Sequence, residues 1–274
     1  MNDHGEIAWC PGCGNFAIRD ALEGALAELA IPPREIVLTS GIGQAAKMPQ
    51  YLAGNYFNGL HGRALPVAVG VKLARPELTV IVVSGDGCNY GEGGNHFLHS
   101  LRRNLDLTVL TCNNQVYGLT KGQSSPTTDL GRMNMFDPRG NENEPLNPLA
   151  LAIVLGAPFV ARGFAGEKEH LKGLLKEAIQ FRGTAVVDIL QPCVSFNKVN
   201  TYAYYRQRVY RLDASGKDRR EALEIAEIQG DRIPVGVFLK DESRSPRETA
   251  GRLFRKSVTP GDMENLLQKW HGAA

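Results

Sequence analysis

The stretch that most narrows what this chain can fold into is "VVSGDGCNYGEGGNHFLHSLRRNLDLTVLTCNN". An apolar run of strand length ends at Ser84 and opens into Gly85-Asp86-Gly87. A helical stripe through Phe97, Leu98 and Leu101 follows, and a second apolar run then ends at Asn113-Asn114. Parallel strands joined by a right-handed helical crossover present their carboxyl ends on one edge of the sheet. Glycines flanking an acid at such an end let the backbone turn tightly and come close to a ligand. Asp86 and Asn114 can therefore converge on one point. A carboxylate and an amide carbonyl make a hard oxygen pair, which suits Mg²⁺ shared with phosphate oxygens.

GDG alone is a common turn. GDG, then 25 residues, then NN, with strand, helix and strand between them, points to thiamine diphosphate. The remaining apolar runs fit a sheet of the same kind. Strands are expected at Glu35–Ser40, Thr79–Ser84, Leu107–Cys112, Pro158–Arg162 and Ala185–Leu190. All are nearly unbroken in Val, Ile and Leu, as strands covered on both faces should be. Helices are expected at Asn15–Ala30 and Glu167–Phe181, with apolar stripes through Leu22 and Leu26 and through Leu171 and Leu175. Strand and helix alternate, so the fold class is α/β with a parallel sheet and helices on both faces; with the GDG and NN turns, a parallel-sheet thiamine diphosphate-binding fold is expected. Residues 1–197 form its domain. Residues 198–274 turn polar, with "YAYYRQRVYRLD" and "KDESRSPRET", and read as an irregular extension that packs on a partner.

A net charge of +2 over 274 residues argues against nucleic acid as a partner. No apolar run approaches the ~18 residues that span a bilayer, so no membrane association is expected. "MNDHGEIAW" has no secretory pattern, and five cysteines is an odd number, so a cytoplasmic protein with free thiols is expected.

The segment Ser84–Thr128 resembles the thiamine-diphosphate-binding β subunit of 2-oxoacid:ferredoxin oxidoreductases. The matching blocks are "GGNHFLHSLRRN", "NNQVYGLTKGQSSPT", "LHGRALPVAVGVKLA", "WCPGCG" and "QPCVSFN". The resemblance implies oxidative decarboxylation of a 2-oxoacid to an acyl-coenzyme A, with electrons leaving through an iron–sulfur cluster to ferredoxin. It further implies Mg²⁺ held by Asp86, Asn114 and the main-chain carbonyl of Val116. Gly85, Gly87, Tyr117, Gly118 and Leu119 would complete the cofactor's seat. Lys47 would pair with the substrate carboxylate; as a plain residue it reads as a solvated helix lysine. His61 and Arg63 would line the pocket; otherwise they read as a capped turn before a helix at Pro66–Ala74. The family's pyrimidine-activating carboxylate belongs to a separate α subunit, so this chain would be half an active site.

In that family four cysteines hold a [4Fe–4S] cluster. Cys10, Cys13 and Cys193 match three of them, and Gln44 stands at the fourth. Glutamine is a poor iron ligand beside thiolate. The resemblance thus leaves open a three-cysteine cluster, a [3Fe–4S] centre, zinc, or no metal at all. Cys88 stands where the family commonly has aspartate, and Asn58 where many members have histidine. Cys88 and Cys112 flank the two turns and are expected to line the pocket. A non-oxidative thiamine-dependent decarboxylase or carboligase subunit, favoured by Gln44, is the competing reading, with a non-catalytic thiamine-binding scaffold behind it.

Overall fold

The structure is a computed structural model and describes residues 6–247. In chain order its elements are α1 (Gly14–Glu28), β1 (Ile36–Ser40), β2 (Asn55–Asn58), α2 (Ala64–Ala74), β3 (Thr79–Gly85), α3 (Gly94–Arg103), β4 (Leu107–Asn113), β5 (Val116–Tyr117) and β6 (Gln123–Ser124). They continue with α4 (Pro148–Val154), β7 (Phe159–Phe164), α5 (Lys168–Gln180), β8 (Thr184–Leu190), α6 (Tyr202–Arg208), β9 (Val209–Arg211), α7 (Arg219–Ala226) and β10 (Ile233–Lys240). A 3-10 segment, Ala45–Tyr51, follows β1, and a π-helical turn, Gly87–Glu92, links β3 to α3.

Eight strands form one sheet in the order β2-β1-β3-β4-β8-β7-β10-β9. The pairings from β2 to β7 are all parallel; β10 runs antiparallel to β7 and parallel to β9. Every residue of β1, β4, β7 and β8 is buried, as continuous Val/Ile/Leu runs require when helices cover both faces. One apolar layer packs α1 and α5 on the sheet through Ile18, Leu22, Leu171 and Leu175. The other is built from Leu65, Phe97, Leu101, Leu149 and Phe238. Because β1, β3, β4 and β8 are parallel neighbours, their carboxyl ends share one edge. The loops beginning at Gly41, Asp86, Asn114 and Gln191 therefore crowd together there.

The five expected strands and the helices at α1, α2 and α5 are present, with bounds within two residues of expectation, and α3 carries the expected stripe through Phe97, Leu98 and Leu101. The polar stretch after residue 197 differs from the irregular extension expected of it. Through residue 240 it supplies α6, α7 and two strands that continue the sheet beyond β7. The Tyr205 side chain, 2% exposed, packs under this part with Phe164 and Val235. The remainder of the expected extension, 248–274, lies outside the described residues. Among the described residues no helix is long and apolar enough to cross a membrane.

Candidate functional site

Asp86 ends the β3 turn and is 1% exposed. Its Oδ2 accepts hydrogen bonds from Ser125 Oγ at 2.6 Å and Thr127 Oγ1 at 2.8 Å. Burial pushes this carboxyl up to about 6, against the lowering effect of the two hydroxyls; nearby Asp188 adds to the rise. A divalent cation beside it would reverse that shift. Asn113, next to Asn114, is held from behind: its Nδ2 donates to Asp188 Oδ1 at 3.1 Å, and its Oδ1 lies 2.8 Å from Thr127 Oγ1.

The turn after β4 bends at Gln115, whose φ of 58° is left-handed. Asn114 Oδ1 accepts from the Val116 amide at 3.0 Å, and the Asn114 carbonyl accepts from Asn197 Nδ2 at 3.0 Å. The chain then runs alongside the β3 turn. One open cavity of about 500 Å³ is lined by Gly85, Asp86, Gly87, Asn114, Val116, Tyr117, Gly118, Leu119 and His61. All the expected cofactor-seat residues thus meet in one place. A Cβ on Gly87 would collide with Cε1 of the Tyr117 ring, so any other residue there must displace the tyrosine. Tyr117 Oη donates to Glu92 at 3.2 Å, and His61 Nδ1 lies 3.2 Å from Glu92 Oε2.

Two expected residues do not line this cavity. Arg63 is exposed, with Nη1 2.6 Å from His96 Nε2. Lys47 is half-buried on the segment Ala45–Tyr51 and has no ion pair among the described residues. Cys88 lines the cavity as expected, and its Sγ accepts from the Gly62 amide at 3.2 Å. Cys112 does not: it is fully buried within the apolar layer under α1, where burial pushes its thiol up.

Beside the first cavity lies a second, of about 410 Å³, lined by Cys10, Cys13, Cys193, Asn15, Gln44 and Gln191. Asn114 and Gly118 border both, as does Gln44. Pro11 and Gly12 (φ 82°) fold "CPGC" into a turn closed by the Cys13 amide donating to the Cys10 carbonyl at 3.0 Å. Three bonds bring distant segments together at this cavity. Gly14 N donates to Pro192 O at 3.2 Å, Gln191 N to Asn113 O at 2.9 Å, and Trp9 Nε1 to Gln44 O at 2.8 Å. Burial, with Cys193 and Cys10 adding, pushes the Cys13 thiol up to about 11. Loading with metal would therefore release a proton from it. As they stand, no three His, Cys, Asp or Glu side chains among the described residues are grouped to hold a single metal ion. Ligands of a cubane sit on separate irons and are spaced more widely than ligands of one ion.

The sequence had not pointed to Ser125, Thr127, Asp188 or Asn15, and Asn113 entered only as the first residue of the NN turn. The signal available was the hydroxyl-rich "QSSPTT" after the NN turn, and an aspartate inside an otherwise apolar strand.

Two family models match. The thiamine pyrophosphate enzyme C-terminal TPP-binding domain covers residues 39–189, and the C-terminal part of the pyruvate ferredoxin oxidoreductase β subunit covers 193–255. The 2-oxoacid:ferredoxin oxidoreductase subunit β of Saccharolobus solfataricus is 46% identical over 255 residues, 88% of this chain and 84% of that protein. The 2-oxoglutarate synthase subunit KorB of Methanocaldococcus jannaschii is 34% identical over 250 residues, 90% and 93% of the two chains. Among solved structures, a 2-oxoglutarate:ferredoxin oxidoreductase from Magnetococcus marinus matches. It has 2-oxoglutarate, coenzyme A and succinyl-CoA bound, and superposes with a TM-score of 0.88 at 34% identity, covering 96% of this chain and 92% of that one.

Proposed function

The chain belongs to the β subunits of the 2-oxoacid:ferredoxin oxidoreductases, and from that membership we propose that it supplies the thiamine diphosphate half of a two-subunit active site. The reaction is oxidative decarboxylation of a 2-oxoacid with transfer of the acyl group to coenzyme A. One observation carries this reading: the Gly85-Asp86-Gly87 turn and the Asn114–Leu119 segment wall a single cavity at the carboxyl edge of the sheet. The relatives' names favour it over the non-oxidative decarboxylase that Gln44 suggested.

When bound, thiamine diphosphate supplies an acidic carbon that adds to the substrate's keto carbon and accepts the electron pair left by CO₂. The chain's own task is to hold that cofactor. The Asp86 carboxylate, the Asn114 amide oxygen and the Val116 carbonyl would take Mg²⁺, a hard-oxygen set that fits the ion. Gly87 lets the backbone pass close under Tyr117, which Glu92 steadies. Lys47, a half-buried cation with no carboxylate partner among the described residues, would receive the substrate carboxylate. His61 would border the reacting end, and Arg63 would hold the rim through His96.

Cys10, Cys13 and Cys193 would hold an iron–sulfur cluster one wall away, carrying electrons toward ferredoxin. Buried amides without partners line that second cavity, which supports a polar occupant there. An α subunit would add the pyrimidine-binding part. The thiol usage supports a cytoplasmic setting.

Anaerobic co-purification with its α subunit tests the reading. Thiamine, magnesium, iron and sulfide should co-elute, and 2-oxoacid-dependent CO₂ release should require both coenzyme A and an electron acceptor. CO₂ release that needs neither would return the chain to the non-oxidative class.

A further inference from the structure

The cysteine cavity holds more unpaired polar atoms than any turn needs. Asn15, fully buried, leaves both Nδ2 and Oδ1 without a hydrogen-bond partner; Gln44 Oε1 and Gln191 Oε1 are unpaired as well. All three side chains line the same cavity as Cys10, Cys13 and Cys193. Each unpaired buried group costs about 1–3 kcal/mol. Several gathered around three thiols mark a space shaped for an occupant that both accepts hydrogen bonds and takes donor atoms.

The three amides are not equivalent. Gln191 Nε2 already points at a thiol, 3.4 Å from Cys13 Sγ, and also reaches the Pro192 carbonyl. Asn15 sits in the first turn of α1, two residues after Cys13, with a free N–H₂ group. These two are placed to donate to sulfur. Gln44 differs. Its main chain is pinned by the Trp9 indole, its unpaired atom is the carboxamide oxygen, and it stands on the wall shared with the thiamine cavity.

Resting on the cluster reading above, we propose that the Gln44 carboxamide oxygen ligates the fourth iron of a [4Fe–4S] cluster held otherwise by Cys10, Cys13 and Cys193. That ligand stands on the wall shared with the thiamine cavity. Amide oxygen is a harder, weaker and uncharged ligand than thiolate. The cluster therefore carries one less negative charge, which raises its reduction potential, and holds one iron loosely. One-electron oxidation of [4Fe–4S]²⁺ by ferricyanide then releases that iron as Fe²⁺ and leaves [3Fe–4S]⁺; added Fe²⁺ and a reductant restore it.

The test uses the anaerobic αβ holo-complex in wild-type form and with Gln44→Ala, Gln44→Glu and Gln44→Cys. Iron is counted, the rate of iron loss on ferricyanide addition is followed by the paramagnetic [3Fe–4S] signal, and the midpoint potential is titrated. Iron loss should be at least threefold faster in Gln44→Ala than in wild type, slower in Gln44→Glu, and slowest in Gln44→Cys, which should also have the lowest potential. Wild-type iron that is lost at the same rate and titrates at the same potential in Gln44→Ala and Gln44→Glu would overturn the ligand assignment alone. A wild-type complex that binds thiamine diphosphate but holds no iron would overturn the cluster reading with it. If Gln44→Ala does not fold, the Glu and Cys variants still decide the order.

Discussion

Gly87 and Tyr117 are in such close contact that the glycine's missing side chain is filled by the tyrosine ring. A Cβ on Gly87 would also crowd Tyr117 Cδ1 and Cζ, so two loops from neighbouring strands close on each other only because one of them has no side chain. Overpacking of this kind costs about 1–3 kcal/mol. Gly87→Ala should displace Tyr117 from Glu92 and weaken thiamine diphosphate binding by tenfold or more, with a melting temperature lowered by only a few degrees. Calorimetric titration with Mg²⁺, beside a melting curve, checks both.

Asp86→Ala removes the single charged oxygen that the cavity offers to a cation. Phosphate charge is then left uncompensated. Mg²⁺-dependent thiamine diphosphate binding should fall below detection in calorimetry, while the circular dichroism spectrum stays that of the wild type. An unchanged affinity would move the cofactor out of this cavity.

Much of this arrangement was legible before any coordinates. Short Val/Ile/Leu-rich runs bounded by turn residues fit strands buried on both faces, so β1, β3, β4 and β8 declared themselves, and the GDG and NN turns followed from their ends. The strands after residue 197 did not, because β10 carries Pro234 and Gly236 within its eight residues and bends at a register shift beside Val237. Such residues normally argue against a strand. The helix α7 left a readable trace: Asp218 Oδ1 accepts from the Glu221 amide, and Glu221 Oε2 accepts from the Lys217 amide, close to a capping box. Convergence of Cys10 with Cys193 came from the resemblance, not from spacing. It depends on β8 lying next to β4, an adjacency that no local pattern encodes. Cys112 was misplaced because a strand end and a strand interior differ by one residue in which way the side chain points.

Lys47 separates two accounts of the same side chain. A solvated lysine contributes about 0–1 kcal/mol through any ion pair, whereas a desolvated one paired with substrate costs several when removed. Lys47→Ala should raise the KM for the 2-oxoacid by tenfold or more and leave thiamine diphosphate affinity at the wild-type value. Steady-state kinetics of the αβ complex, beside calorimetry of the cofactor, reads both. A change in KM below threefold would return Lys47 to the surface.

Thr127 carries the last prediction, because its hydroxyl serves two oxygens with one proton. Thr127 Oγ1 lies 2.8 Å from Asp86 Oδ2 and 2.8 Å from Asn113 Oδ1, and a hydroxyl donates only once. Asn113 cannot turn its amide to help, since its Nδ2 is committed to Asp188, itself fully buried and 3.7 Å from Arg162 Nε. With Asp86 ionised, the proton must point to Asp86, so the hydroxyl orients the carboxylate and leaves Asn113 Oδ1 without that donor. Thr127→Val keeps the shape and removes the donor. Outer partners of metal-binding carboxylates typically account for about 10–100-fold in metal affinity. Thr127→Val should therefore weaken Mg²⁺ by roughly that factor, with Ser125 keeping Asp86 in place. Thr127→Ser, which restores the hydroxyl, should recover most of the loss. Mg²⁺ titration of thiamine diphosphate binding measures it, and a valine variant with wild-type Mg²⁺ dependence would show that Ser125 alone suffices to orient Asp86.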